Sequence, residues 1–253
     1  MGNTQGNSQG NSPGRSQGHA QGHSQGHSQG HSQRNSSPAP DTSTRRIRSA
    51  IAAERRDLAD LLDGLEPAQW DAPSLCAGWR VREVAAHMSL GFRCSLPRVL
   101  WELLRAGGSL HRMTDRRARA DAAAFSARDL AAFLRDHADH PWTPPVGGFA
   151  SALGHDVVHG LDITVPLGLT RRVPEDRLRI LLDHVTPKSA KFFGADLTGL
   201  ELRADDTDWS FGSGAPLSGA AQDLLLVAYG RRVPAGRLRG ERAERFTVAG
   251  QAH

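Results

Sequence analysis

Apolar residues recur at spacings of three and four through most of this chain, and the first alternating stretch comes only at Leu200. Ile47, Ile51, Leu58, Leu61, Leu62 and Leu65 fall on one stripe of a helix over 44–65. Residues 67–78 read as a loop. A second helix runs from Trp79 through Val81, Val84, Ala85, Met88 and Leu90, and Pro97 ends or kinks it. Residues 99–104 continue that helix or start a short one, and Gly107-Gly108 breaks it. Segments 115–124 and 127–137 read as helical, with Ser126 as N-cap of the latter. Past Pro141, Pro144 and Pro145, helices are expected over 148–166 and 174–191. Four or five long helices with short links make a mainly α fold, an up-down bundle.

The two ends of the chain follow other rules. Residues 1–40 repeat a four-residue unit of Gly, His or Asn, Ser and Gln, almost without aliphatic side chains. Such a segment cannot offset the entropy of folding, so a disordered tail is expected. Its His19, His23, His27 and His31 read as a solvated repeat or a weak metal-capturing strand. The bundle is expected over 41–195 and a small α/β unit over 196–253. In that unit Leu200 to Ala204 and Asp208 to Phe211 alternate as strands, Gly212 to Ala215 turns, and Ala220 to Tyr229 is an apolar helix. Phe246 to Ala249 could add one strand.

Composition removes several classes of function. Basic residues number 31 and acidic ones 27, for a net charge of +4. That balance suits neither a nucleic-acid groove nor a polybasic membrane patch. No run of about 18 apolar residues is present, so no membrane span is expected. Met1-Gly2 opens no apolar leader, and Gly6 stands where a myristoylation motif wants Ser or Thr. Two cysteines rule out a disulfide scaffold and fit a reducing cytoplasm. No P-loop, GxGxxG or GxSxG motif occurs, which argues against nucleotide and serine-hydrolase chemistry.

Three histidines carry the chemical signal. His155 and His159 stand four apart on one helix face, about 6 Å along the axis at 1.5 Å per residue. The pair alone fits either a metal site or one core and one exposed histidine. His87 lies among apolar neighbours on another helix, where a lone histidine is ordinarily a hydrogen-bonded core residue. In an antiparallel bundle all three can meet. Three protein ligands and one open position make a catalytic zinc site. Among the other residues, Asp156 is expected on a different, solvated face. Cys94 reads as a buried inert thiol, Cys76 as structural, and Trp70 and Trp79 as packing anchors.

The stretch from Trp70 to His87, WDAPSLCAGWRVREVAAH, resembles the start of the mycothiol-dependent maleylpyruvate isomerase family, within the DinB-like superfamily. Val157 to Ile163 with Pro166-Leu167-Gly168 is similar to a second family motif. Ala204 to Ser210, Gly219-Ala220-Ala221 and Leu224-Leu225-Leu226 resemble its C-terminal part. The resemblance implies a DinB-like bundle with a small C-terminal α/β domain. It implies a divalent metal, usually zinc, on His87, His155 and His159, with His155 where the isomerase has Glu. It implies that Asp162 orients an imidazole or a substrate group, and that Arg231 or Arg232 contacts a substrate carboxylate. Mycothiol is the implied cosubstrate, activated as a thiolate for addition to a small electrophile, in an S-transfer or a cis–trans isomerisation. The competing expectation is a catalytically silent metal-binding bundle serving as a binding or regulatory module.

Overall fold

The structure, a computed structural model, describes residues 41–248; the expectations for the first 40 residues and for Ala249 lie outside them. Its elements are α1 (Thr42–Asp63), α2 (Pro67–Trp70), α3 (Val81–Arg93), α4 (Leu96–Arg105), α5 (Leu110–Ala124), α6 (Ala127–Asp136), α7 (Gly148–Thr164), α8 (Glu175–Leu182) and α9 (Pro187–Phe192). Then follow β1 (Leu200–Ala204), β2 (Ser210–Gly212), β3 (Ala215–Gly219), α10 (Ala221–Ala228), β4 (Val233–Pro234), β5 (Leu238–Arg239) and β6 (Thr247–Val248). The fold is mainly α, as the spacing predicts. Ser126 caps α6, its hydroxyl accepting from the Asp129 amide at 3.2 Å.

Helix α3 packs on α5, α6 and α7, and α1 packs on α6 and α7. Leu58, Val84, Leu130, Leu134 and Ile163 belong to the core between them. A second core joins Leu153, Val157 and Leu161 of α7 to Leu181 of α8, Leu202 and Leu217 of the sheet and Leu224 of α10. Helix α7 is thus apolar nearly all round because it lies between two cores. The sheet order is β2-β1-β3-β5, with β1 and β3 parallel and the edge pairs antiparallel. Strands β4 and β6 form a separate parallel pair.

Three expectations change, the first being the loop over 67–78, whose opening residues form the short helix α2 with Pro67 in its first turn. The helix over 174–191 is broken into α8 and α9. Thr186 precedes Pro187, and the proline ring excludes helical backbone there, so Thr186 is extended and caps α9. Residues 215–219, read only as the end of a turn and a link to the helix, form the inner strand β3.

Candidate metal centre

The approach to α3 is a fastened loop. The Val81 amide donates to the Ala72 carbonyl, and Ser74 Oγ donates to the Trp79 carbonyl at 2.9 Å. The Leu75 amide donates to the Asp162 carbonyl at 3.0 Å, which ties the loop to α7. At the head of α3, Glu83 reaches back to accept from the Arg80 amide at 2.8 Å. These contacts fix α3 against α7 and bring His87 opposite His155 and His159.

The three imidazoles form one cluster. Ring centroids of His87 lie 5.0 Å from His155 and 4.8 Å from His159, and the latter two lie 4.8 Å apart. One nitrogen from each lies within 4.8 Å of the others. His155 Nε2 and His87 Nε2 are 3.2 Å apart. Two ligands of a tetrahedral zinc with bonds of 2.0–2.1 Å stand about 3.3 Å apart, so this spacing suits a shared ion.

Hydrogen bonding sets which nitrogens face inward. His159 Nδ1 donates to Asp162 Oδ2 at 2.9 Å, and His155 Nδ1 donates to Asp156 Oδ1 at 2.9 Å. Both rings then offer Nε2 lone pairs. His87 Nδ1 is buried with no partner among the described residues, so no group behind the ring fixes its tautomer as Asp156 and Asp162 do for the other two. Burial, helped by the two neighbouring imidazoles, holds His87 well below the usual histidine range. Burial also brings His159 down to about 4, against the opposing Asp162 hydrogen bond. Near neutral pH these two are uncharged, as metal ligands must be. The donor set therefore fits a divalent ion such as zinc.

Asp162 gathers the rest of the site. Arg231 Nε and Nη2 donate to its two oxygens at 3.0 and 2.9 Å, and Cys76 Sγ donates at 3.1 Å. Burial works against the Asp162 carboxylate, yet His159 and Arg231 outweigh it and hold it below the carboxylate range. Burial first, and then Asp162, push the Cys76 thiol up, so it stays protonated. Two indoles wall the cluster. The Trp79 ring lies 5.2 Å from His87, its Nε1 donating to Asp115 at 2.7 Å. The Trp142 ring lies 5.3 Å from His155 and rests on Gly91, where any side chain would run into the indole. Two surface cavities, of about 560 and 610 Å³, lie elsewhere and include none of the three histidines.

Residues 51–141 match the family model described as the mycothiol maleylpyruvate isomerase N-terminal domain. That match covers the first helices of the bundle and supports the family resemblance carried by the stretch from Trp70 to His87. Two solved structures are similar to the chain. One is the crystal structure of the mycothiol-dependent maleylpyruvate isomerase, at 15% identity over 79% of this chain and 93% of that one, with a TM-score of 0.52. The other is a histidine-to-alanine mutant of that enzyme, with the same identity and coverage and a TM-score of 0.50. At such identity the likeness is one of fold. No curated protein matches the chain.

The structure brings His87, His155, His159, Asp162 and Arg231 together. Arg232 is not among them: it is exposed, and its Nε donates to the Arg245 carbonyl at 3.4 Å. Asp156 is not solvated as expected but wholly buried, because α7 has no free face and position 156 meets α1. Cys76 is more than a loop anchor, since its thiol touches Asp162. Cys94 is half-buried at the end of α3. The spacing of single residues gave no signal for Trp142 or for Arg55, the partner of Asp156.

Proposed function

We propose that this protein is a metal-dependent enzyme that directs mycothiol at a small electrophile, as an S-transferase or a cis–trans isomerase of the maleylpyruvate isomerase type. The carrying observation is the convergence of His87, His155 and His159, with two Nε2 atoms 3.2 Å apart. A zinc ion there would supply a lowered thiol pKa, from about 8.5 toward neutrality, so that the thiolate prevails near pH 7.

The chain's own residues would divide the remaining work. The three imidazoles hold the ion and leave one position open. Asp162 fixes the His159 tautomer. Arg231, its side chain 22% exposed, is the cation beside the cluster that can meet a substrate carboxylate. Trp79 and Trp142 give the site apolar walls that limit water. Cys76 stays protonated and does not compete as a nucleophile. The likeness of residues 51–141 to the mycothiol maleylpyruvate isomerase N-terminal domain supports mycothiol as the thiol. Two unpaired cysteines support a reducing cytoplasm; among the described residues no helix is long and apolar enough to cross a membrane.

The test compares the zinc content of the full chain with that of His159→Ala and follows zinc-dependent consumption of mycothiol with a cis-enoyl acid or a haloarene. The wild type should hold close to one zinc more than the variant and consume the thiol. Equal zinc contents would overturn the metal site. Zinc binding without mycothiol binding or turnover would favour a silent module.

A further inference from the structure

We infer that Arg55 and Asp156 are positioning residues that fix His155 in the one tautomer able to ligate, and that His155 and Asp156 work as an inseparable unit. The inference rests on the metal site proposed above. Arg55 comes from α1 and Asp156 from α7, 101 positions apart, and both side chains are fully buried. Arg55 Nε donates to Asp156 Oδ2 at 2.8 Å, and the other carboxylate oxygen accepts from His155 Nδ1 at 2.9 Å.

The guanidinium is itself pinned. Its Nη1 donates to the carbonyls of His137, Ala138 and His140 at 3.2, 3.3 and 2.8 Å, and the Phe92 ring lies 5.1 Å from its centre. The carboxylate therefore cannot turn away. Paired with a guanidinium it only accepts, so Nδ1 must carry the proton and Nε2 the inward lone pair. A buried ion pair adds little to stability, but it can specify one arrangement. Arg231 and Asp162 present the same order of groups to His159, with Arg231 partly exposed. Arg55 and Asp156 are sealed from any substrate and can act only through His155.

Ligand type and partner are therefore coupled. In Asp156→Asn the amide oxygen stays with Arg55 and the NH2 group faces Nδ1. That ring must then accept at Nδ1 and carry its proton on Nε2, where the metal lone pair should be. In His155→Glu the donor to Asp156 is lost and two carboxylates face each other. Adding Asp156→Asn to that variant supplies an N–H to the new carboxylate. The same substitution should weaken the site with His155 and strengthen it with Glu.

The experiment uses the full chain as wild type, Asp156→Asn, His155→Glu and the double variant. Zinc affinity is read by chelator competition, and the His155 tautomer by nitrogen NMR of the zinc-free protein. Asp156→Asn should weaken zinc about 10- to 100-fold and move the His155 proton from Nδ1 to Nε2. In the His155→Glu background it should tighten zinc. An unmoved tautomer, or the same loss in both backgrounds, would overturn the inference. Should Asp156→Asn lack a cooperative thermal transition, the uncharged pair Arg55→Met with Asp156→Leu replaces it. Undiminished zinc affinity in that protein would also overturn the inference. A wild type without a His159-dependent zinc site would sink the proposed function, whereas the tautomer of the zinc-free protein tests the Arg55–Asp156 arrangement on its own.

Discussion

Acidification should destabilise the metal-free protein through His159. That imidazole sits at about 4 in the folded protein, because burial outweighs its hydrogen bond to Asp162; in an unfolded chain it sits near 6.5. The folded state binds fewer protons between these values, so unfolding free energy rises with pH across them. The contribution is whole above pH 6.5, shrinks as pH falls, and is lost once pH passes below about 4. Linkage between the two values gives a loss of about 2 kcal/mol from pH 8 to pH 5, and about 3 kcal/mol in all. His87, also held low by burial and its neighbours, acts in the same direction. Urea unfolding of chelator-treated wild type and His159→Gln at pH 8, 7, 6 and 5 measures this. The wild type should lose about 2 kcal/mol more than the variant over that range. Parallel curves, or a wild type more stable at pH 5 than at pH 8, would refute the reasoning.

Arg231→Lys should lower kcat/KM about tenfold or more, since one ammonium cannot reproduce the two parallel bonds to Asp162, while Arg232→Ala leaves kinetics unchanged; steady-state assays separate the two. Gly91→Ala forces the Trp142 indole aside and should cost about 1–3 kcal/mol, visible as a lowered Tm. Ser126→Ala removes the cap of α6 and should cost about 1 kcal/mol in urea unfolding. Deleting residues 1–40 should leave Tm nearly unchanged, since their composition offers no core.

The helical bundle was legible because its stripes are long: Ile47, Ile51, Leu58 and Leu62 repeat over about four turns of α1. The three histidines were legible through a spacing of four and a motif. The remaining features have no local signature. Arg55 and Asp156 look like ordinary surface charges in their own helices, and only the packing of α1 against α7 turns both inward. Asp162 differed because its partner His159 is three residues away on the same helix. Trp142 sits in a proline-rich link with no period, and the need for Gly91 beneath it appears only when the loop is folded back. The break at Pro187 is readable from the proline, but the helical spacing of Leu178, Leu181, Leu182 and Val185 runs up to it without a gap.

The segment that carries the family's N-terminal signature, 51–141, contains His87 alone of the three histidines. His155, His159 and Asp162 come from α7, and Arg231 follows α10, whose leucines share a core with that same helix. Neither stretch of chain owns a complete centre. Gene fusion or fragment exchange that moved the signature segment by itself would transfer a scaffold with one imidazole and none of the carboxylates that aim the others. If the proposed centre operates, its chemistry would have to be inherited together with the C-terminal half.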